Sequence, residues 1–168
     1  MAMILASSER IRLRVSRPHD LDYVLQAENH PDNRDFISQW TKEQHRNAQE
    51  DTDTVHLIVE ADLESCGYAI IAGLENPARS IELKRLVITE KGQGLGRDVL
   101  RLVKRCAFNR WSAHRLWLDV RSNNPRALHL YESEGFQVEG TLRDSILVDG
   151  NYVSVAILSI LESEYKDV

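Results

Sequence analysis

The plainest chemistry in the chain lies in three glycines set one spacer apart, in Lys91-Gly92-Gln93-Gly94-Leu95-Gly96. An apolar run, Leu86-Val87-Ile88, precedes them. Behind them Val99, Leu102, Val103 and Cys106 recur at i, i+3, i+4 and i+7, the spacing of an amphipathic helix. A strand, a glycine turn and a helix in that order make an anion site. The first helical turn has backbone N–H groups without intrahelical partners and carries the positive end of the helix dipole. Glycine there admits a phosphate or a backbone conformation that a side chain would forbid. A dinucleotide fingerprint would need glycine in the sixth position, where the chain has Arg97 or Val99. A triphosphate loop would need Lys then Ser or Thr after the last glycine, where it has Arg97 and Asp98. Both are excluded. The turn alone does not choose between a phosphate cradle and an ordinary strand-to-helix turn whose glycines only relieve crowding.

A second stretch lies further along, Asn124-Pro125-Arg126-Ala127-Leu128-His129-Leu130-Tyr131-Glu132-Ser133-Glu134-Gly135-Phe136. The turn matches a basic or amide residue, two spacers, glycine, spacer, glycine, with Lys91 where Arg or Gln is usual. The second stretch meets every fixed position of N-x-x-A-x-x-L-Y-x-x-x-G-F. Together, in this order and with one strand between them, they resemble the two signatures of the GNAT superfamily of N-acetyltransferases, most strongly over residues 79–139. The run of the chain, with Arg12-Leu13-Arg14 opening it and Gly140-Thr141-Leu142-Arg143-Asp144 near the end, looks like its bacterial ribosomal-protein N-terminal and polyamine acetyltransferase branch.

The resemblance implies acetyl-CoA as cosubstrate and transfer of its acetyl group to a primary amine, that of a small amine, a polyamine or a protein N-terminus. It implies that Lys91, Gly92, Gln93, Gly94, Leu95, Gly96 and Arg97 hold the pyrophosphate, largely through main-chain amides. It implies that the main chain of Leu86, Val87 and Ile88 pairs with the pantetheine arm and polarises the thioester carbonyl. Only Thr89 and Glu90 separate that strand from the turn. This is a shorter link than many relatives have.

The chemistry needs a neutral amine and a proton for the leaving thiolate. Tyr131 suits the second need, since a phenol with a reference pKa of about 10 is protonated at working pH. Its other reading is a helix-face side chain packed one turn beyond Ala127. Glu82, on the strand entering the turn, is the candidate base, directly or through water. It also reads as a surface carboxylate near Lys84 and Arg85. Asn124 reads first as a helix N-cap and second as a contact to the cofactor arm. A domain that binds acyl-CoA without catalysis, or regulates through it, is the alternative function, and it would have no need of the Tyr131 phenol.

The elements that position these groups follow from periodicity. Ile11–Val15 alternates as a strand, and Pro18-His19-Asp20 opens a helix with Leu21, Val24 and Leu25 on one face. Residues 30–50 are polar and helix-compatible, with Phe36, Ile37 and Trp40 at helical spacing. Runs at 55–59, 67–72 and 81–88 predict an antiparallel meander. Leu116, Leu118 and Val120 alternate with Trp117, Asp119 and Arg121 in a strand, the Asn124 helix stops at Gly135, and Asp149-Gly150 turns a final hairpin. The order β-α-α-β-β-β-α-β-α-β-β predicts an α+β (α/β) fold in a single domain over 1–168. It is GNAT-like, a mixed, mainly antiparallel, splayed sheet flanked by helices.

Composition agrees with an ordinary globular chain: 168 residues, 42% hydrophobic and 28% charged. A net charge of −5 disfavours nucleic acid and anionic membranes as partners. The opening Met1 to Ala6 lacks a basic start and is too short an apolar stretch for a signal peptide. Two cysteines, Cys66 and Cys106, read as reduced thiols of a cytoplasmic protein, and none of the six histidines has metal-ligand spacing, so no metal is expected. The acceptor is expected among the early helices and the final hairpin. There Asp20, Asp22, Glu28, Asp32 and Asp35 would either attract a cationic amine or form a solvated face. A homodimer is the assembly that relatives imply, and Trp40 as an exposed aromatic would fit its interface.

Overall fold

Strand alternation sends neighbouring side chains to opposite faces, so an uninterrupted apolar run such as Leu57-Ile58-Val59 must be covered on both. The computed structural model, which describes residues 3–167, shows how. Its strands are β1 Ile4–Ser7, β2 Arg12–Val15, β3 Thr54–Ala61, β4 Glu64–Ala72, β5 Ser80–Ile88, β6 Arg115–Arg121, β7 Gln137–Val148 and β8 Asn151–Leu161. The helices are α1 Leu21–Asn29, α2 Lys42–Glu50, α3 Leu95–Arg105 and α4 Pro125–Ser133. The sheet order is β1-β2-β3-β4-β5-β6-β8-β7. Every pairing is antiparallel except β5 with β6. Leu57, Val59, Ala69, Ile71 and Leu83 pack with Val99, Leu102 and Val103 of α3 on one face. Ile58, Tyr68, Ile70 and Val87 pack with Leu21, Val24 and Ala27 of α1 on the other.

The meander, both later helices and the hairpin stand where the pattern predicts them. Three expectations change. Ile4–Ser7 forms an additional edge strand paired with β2, while Met1 and Ala2 of the same opening stretch lie outside the described residues. Leu25 is only half-buried, and Glu28 takes the inner position instead. Residues 30–41 are not helical, and α2 begins only at Lys42. Thr41 and Gln44 form a reciprocal cap there, each side chain satisfying the other's backbone N–H, which fixes the start. Phe36, Ile37 and Trp40 therefore lie on an irregular connection.

A chain of buried polar groups ties that connection to the sheet. Glu28, with no exposed surface, accepts from the Trp40 backbone N–H at 2.8 Å and the Tyr68 hydroxyl at 2.8 Å, and faces His45 Nε2 at 2.9 Å. His45 Nδ1 meets His56 Nε2 at 3.0 Å, and His56 Nδ1 meets Ser16 Oγ at 2.7 Å, which Gln49 supports at 2.9 Å. With Glu28 ionised, each contact from Glu28 through His45 and His56 to Ser16 has one donor and one acceptor if both imidazoles are neutral and protonated on Nε2, while Gln49 Oε1 is buried without a partner.

Burial, with His45 beside it, pushes His56 down from 6.5 to about 4. A depressed folded pKa stabilises the native state above the unfolded value, and that stabilisation is lost as pH falls through the window between them. The native protein is thus expected to lose up to about 3 kcal/mol from this group between pH ~6.5 and ~4. Thermal unfolding followed across that window should fall more steeply for the wild type than for His56→Gln. Equal slopes would remove His56 from the acid sensitivity.

Candidate active site

β5 and β6 pair only at Ser80 with Arg115, Ile81 with Leu116 and Glu82 with Trp117. Beyond Glu82 they diverge. On the other edge of β5 the register to β4 shifts, Ile70 facing Arg85 and Ile71 facing Leu83, so that Lys84 is an extra residue. A bulge of this kind bends a strand and raises its local twist, which turns β5 away from β6. A cavity of about 210 Å³ fills the gap. Its walls are Leu83 to Val87 of β5, Asp119 to Arg121 of β6, Asn124, Ala127 and Tyr131 at α4, Phe36 to Ser38 of the α1–α2 connection, and Ile146 and Val155 of the hairpin. A depression of about 290 Å³ beside α2 is larger, but it touches neither Tyr131, Asp119 nor the glycine turn. The cleft between β5 and β6 is therefore the better candidate.

The glycine turn enters α3 as its sequence requires. Gly92 and Gly94 have φ of 80° and 72°, left-handed values that a side chain would strain. Gly94 is the N-cap of α3, no side chain caps the helix, and the amides of Leu95, Gly96 and Arg97 begin the first turn. Gly96 differs. A Cβ there would point inward and make ordinary contacts, 3.6 Å from Leu130 and 3.9 Å from Ile88, so neither crowding nor backbone conformation requires glycine at this position. Arg10, from the β1–β2 turn, hydrogen-bonds the Gln93 carbonyl and pairs with Asp98 at 3.1 Å. This brings a cation to the turn from a segment the motif does not include.

The remaining predicted residues divide. Leu86 and Val87 line the cleft, whereas Ile88 is buried beneath α3 and does not. The Lys91 ammonium reaches Asn33 Oδ1 at 2.6 Å and so faces the cleft roof rather than lying over the turn. Arg97 turns its guanidinium to Ser133 at 3.0 Å and Glu134 at 2.6 Å, leaving its amide to the helix start. Asn124 caps α4 by accepting from the Ala127 N–H at 3.2 Å while lining the cavity.

Tyr131 stands half-buried in the cavity, its ring edge-on to Phe136 at 5.9 Å. Its hydroxyl has no hydrogen-bond partner among the described residues. Burial, with the Asp119 charge adding, pushes its pKa up to about 12. Glu82 occupies the vertex where pairing ends and does not line the cavity. Burial raises its pKa, and Asp119 adds to that against Lys84 and Arg85. Asp119 itself lines the cavity and is raised by burial, against the charges of Arg85 and Arg121.

Two of the five early carboxylates are engaged within the fold, while Asp22, Asp32 and Asp35 are exposed. Asp20 is buried in a bidentate pair with Arg14, both contacts 2.8 Å, and Glu28 belongs to the histidine chain. Trp40 is not an open interface aromatic, since it is half-buried with the Arg85 guanidinium over its ring at 4.9 Å. Asp119, Arg85, Arg121 and Arg10 were not singled out from sequence. For Asp119 and Arg121 the only signal was their place on the polar side of an alternating strand. Both cysteines are buried free thiols, and among the described residues no group of His, Cys, Asp or Glu is arranged to hold a metal. No helix there is long and apolar enough to cross a membrane.

Comparison with known proteins agrees with this geometry. The model of the acetyltransferase (GNAT) family matches residues 21–136. The spermidine N(1)-acetyltransferase of Escherichia coli K12 is 26% identical over 172 residues, covering 96% of this chain and 91% of that protein. Its Vibrio cholerae counterpart is 25% identical over 170 residues, covering 94% and 96%. The crystal structure of spermidine N-acetyltransferase from Vibrio cholerae in complex with CoA and spermine superposes with a TM-score of 0.84 at 23% identity, covering 94% of this chain and 98% of that one. A splayed sheet with a glycine turn at its open end, inside a family match spanning most of the sequence, has one reading: the chain belongs to the GNAT family and is an acetyl-CoA-dependent N-acetyltransferase.

Proposed function

We propose that the pyrophosphate of acetyl-CoA rests on the amides from Gln93 to Arg97, with Lys91 and Arg10 supplying positive charge nearby. The pantetheine arm lies along the β5 edge at Leu86, Val87 and Ile88, with Asn124 beside it. A primary amine enters between the α1–α2 connection and the hairpin and attacks the thioester carbonyl carbon. The C–N bond forms, the C–S bond breaks, and the thiolate takes the Tyr131 proton. The proton lost by the amine leaves through water to the carboxylates at the vertex, Asp119 with Glu82 behind it. The observation that carries this reading is the Tyr131 hydroxyl, unengaged by protein and set in the same cavity as the unpaired edge of β5. Mass spectrometry of amines incubated with enzyme and acetyl-CoA tests it. Thioester hydrolysis without an acetylated product would refute it.

The spermidine acetyltransferases among the relatives support an aliphatic primary amine as acceptor and make polyamines the first to assay. The net charge supports partners other than nucleic acid or anionic membrane, and buried free thiols suit a reducing, cytoplasmic setting. A single domain and a homodimer complete the proposal, the dimer resting on its frequency in the family.

A carboxylate base works only when ionised, so activity falls as pH drops through its pKa. Because burial raises both carboxyls, the acid limb of kcat/KM is expected above the ordinary carboxylate range near 4. Asp119→Asn should lower kcat/KM about tenfold or more and move that limb. A limb that stays in place would assign the base elsewhere.

A further inference from the structure

The acceptor side of the cleft is positively charged. Lys84 and Arg85 come from β5 and Arg121 from β6, and the only carboxylate among the lining residues is Asp119. Arg85 Nη2 donates to the Ser38 carbonyl at 3.2 Å, and Arg121 donates to Ser38 Oγ at 3.1 Å and to the Asp35 carbonyl at 3.1 Å. The two guanidinium groups thus converge on one residue of the roof, one from each arm of the opening. Among the described residues none of these three cations makes an ion pair with a carboxylate. Elsewhere the buried cations do: Arg14 has Asp20 and Glu60, and Lys104 has Glu134. Arg121 is buried, and Arg85 Nε is buried without a hydrogen-bond partner. Like charges held together in a sheltered site repel, and the Arg121 guanidinium is lowered by burial and by Arg85 against the opposing charges of Asp119 and Asp35.

A polyamine suits this wall poorly. It would bring several ammonium groups against three cations that no carboxylate contacts, with Asp119 the one carboxylate among the lining residues and Asp35 acting on Arg121 from outside them. An oxyanion between Arg85 and Arg121 would relieve the repulsion, and two guanidinium forks are the usual partners for a planar carboxylate or a phosphate. Asp119 and Arg121 are two residues apart on β6 and so project to the same side, about 7 Å apart along the strand. An amine facing Asp119 and an acidic group facing Arg121 would therefore sit on one short molecule.

We infer that the acceptor is a primary amine that also bears an oxyanion, a carboxylate or a phosphate, gripped by Arg85 and Arg121 while its amino group faces Asp119 and the thioester. The inference rests on the transfer reaction proposed above and narrows its acceptor class.

Matched amines test it: cadaverine against lysine, putrescine against ornithine, and ethanolamine against phosphoethanolamine, with spermidine alongside. The acid-bearing member of at least one pair should have a kcat/KM at least tenfold higher, and which pair responds separates carboxylate from phosphate. Arg85→Glu, shown to be folded by its thermal transition, should reduce or invert that ratio towards cadaverine and spermidine. Higher kcat/KM for spermidine and the plain diamines in the wild type, or a ratio unmoved by Arg85→Glu, would overturn the inference while leaving acetyl transfer intact. Calorimetric binding of the same pairs to the protein saturated with CoA reads recognition without turnover. Tighter, Arg85-dependent binding of the acid-bearing amines with no acetylated product would sustain the oxyanion site and refute the transfer reaction instead. Equal binding within every pair would overturn the site.

Discussion

Tyr131→Phe is expected to lower kcat by about a hundredfold to a thousandfold while the Kd for acetyl-CoA stays within about twofold of wild type. The phenol lines the cleft and is protonated at working pH, its pKa pushed up to about 12 by burial and by Asp119. A raised pKa makes a phenol a poorer acid, and a thiol of reference pKa about 8.5 leaves a thiolate less basic than this phenolate, so the hydroxyl acts first by donating a hydrogen bond to the developing thiolate charge. That bond strengthens only as the C–S bond breaks, which is the condition for an effect on kcat rather than on binding. Removing the hydroxyl leaves the ring against Phe136, so packing is retained. Single-turnover kinetics with acetyl-CoA titrated separately checks both quantities. Unchanged turnover would take Tyr131 out of the mechanism.

Glu28→Ala should give the largest loss of stability, about 3–5 kcal/mol, or a fall in Tm on the order of 10 °C for a domain of this size. Three donors converge on that carboxylate from three parts of the chain: the Trp40 backbone, the Tyr68 hydroxyl and the His45 ring. Each is sheltered from water, so each left unpaired costs about 1–3 kcal/mol. The damage should not stay local. Trp40 lies beneath Arg85, whose Nη2 holds the Ser38 carbonyl, so loosening Trp40 loosens the roof of the cleft. Thermal unfolding of Glu28→Ala and Glu28→Gln gives the measurement. Glu28→Gln should also destabilise, because its amide NH₂ would face donors where an oxygen now accepts. A Glu28→Ala variant as stable as wild type would mean that the chain of polar groups contributes no net stability.

Legibility in the sequence followed the range of the forces involved. Strand alternation, helical spacing, the Asp149-Gly150 turn and the Asn124 cap are local, set by neighbours a few residues away, and they placed the meander, α3, α4 and the hairpin. Gly92 and Gly94 were legible because a left-handed backbone needs glycine wherever it occurs. Residues 30–41 misled because Phe36, Ile37 and Trp40 keep helical spacing for another purpose. They meet the cleft and the β5 cations from a loop, and Thr41 with Gln44 starts the helix after them.

Charge was the least legible property, because the meaning of an ionisable group depends on what is brought to it. In the sequence Asp20 and Glu28 look like parts of one acidic surface with Asp22, Asp32 and Asp35. In the fold Asp20 answers Arg14 and Glu28 answers His45, Tyr68 and Trp40, so neither is available to a substrate. Glu82 was singled out by its strand, but a bulge at Lys84 ends the β5–β6 pairing there and gives the cleft wall to Asp119, Arg85 and Arg121. The sequence by itself determined the family, the glycine turn and the Tyr131 helix, since each is written in contiguous residues. Tertiary structure alone decided which charges face one another across the open sheet, because Coulomb forces act between groups that are neighbours in space and far apart along the chain.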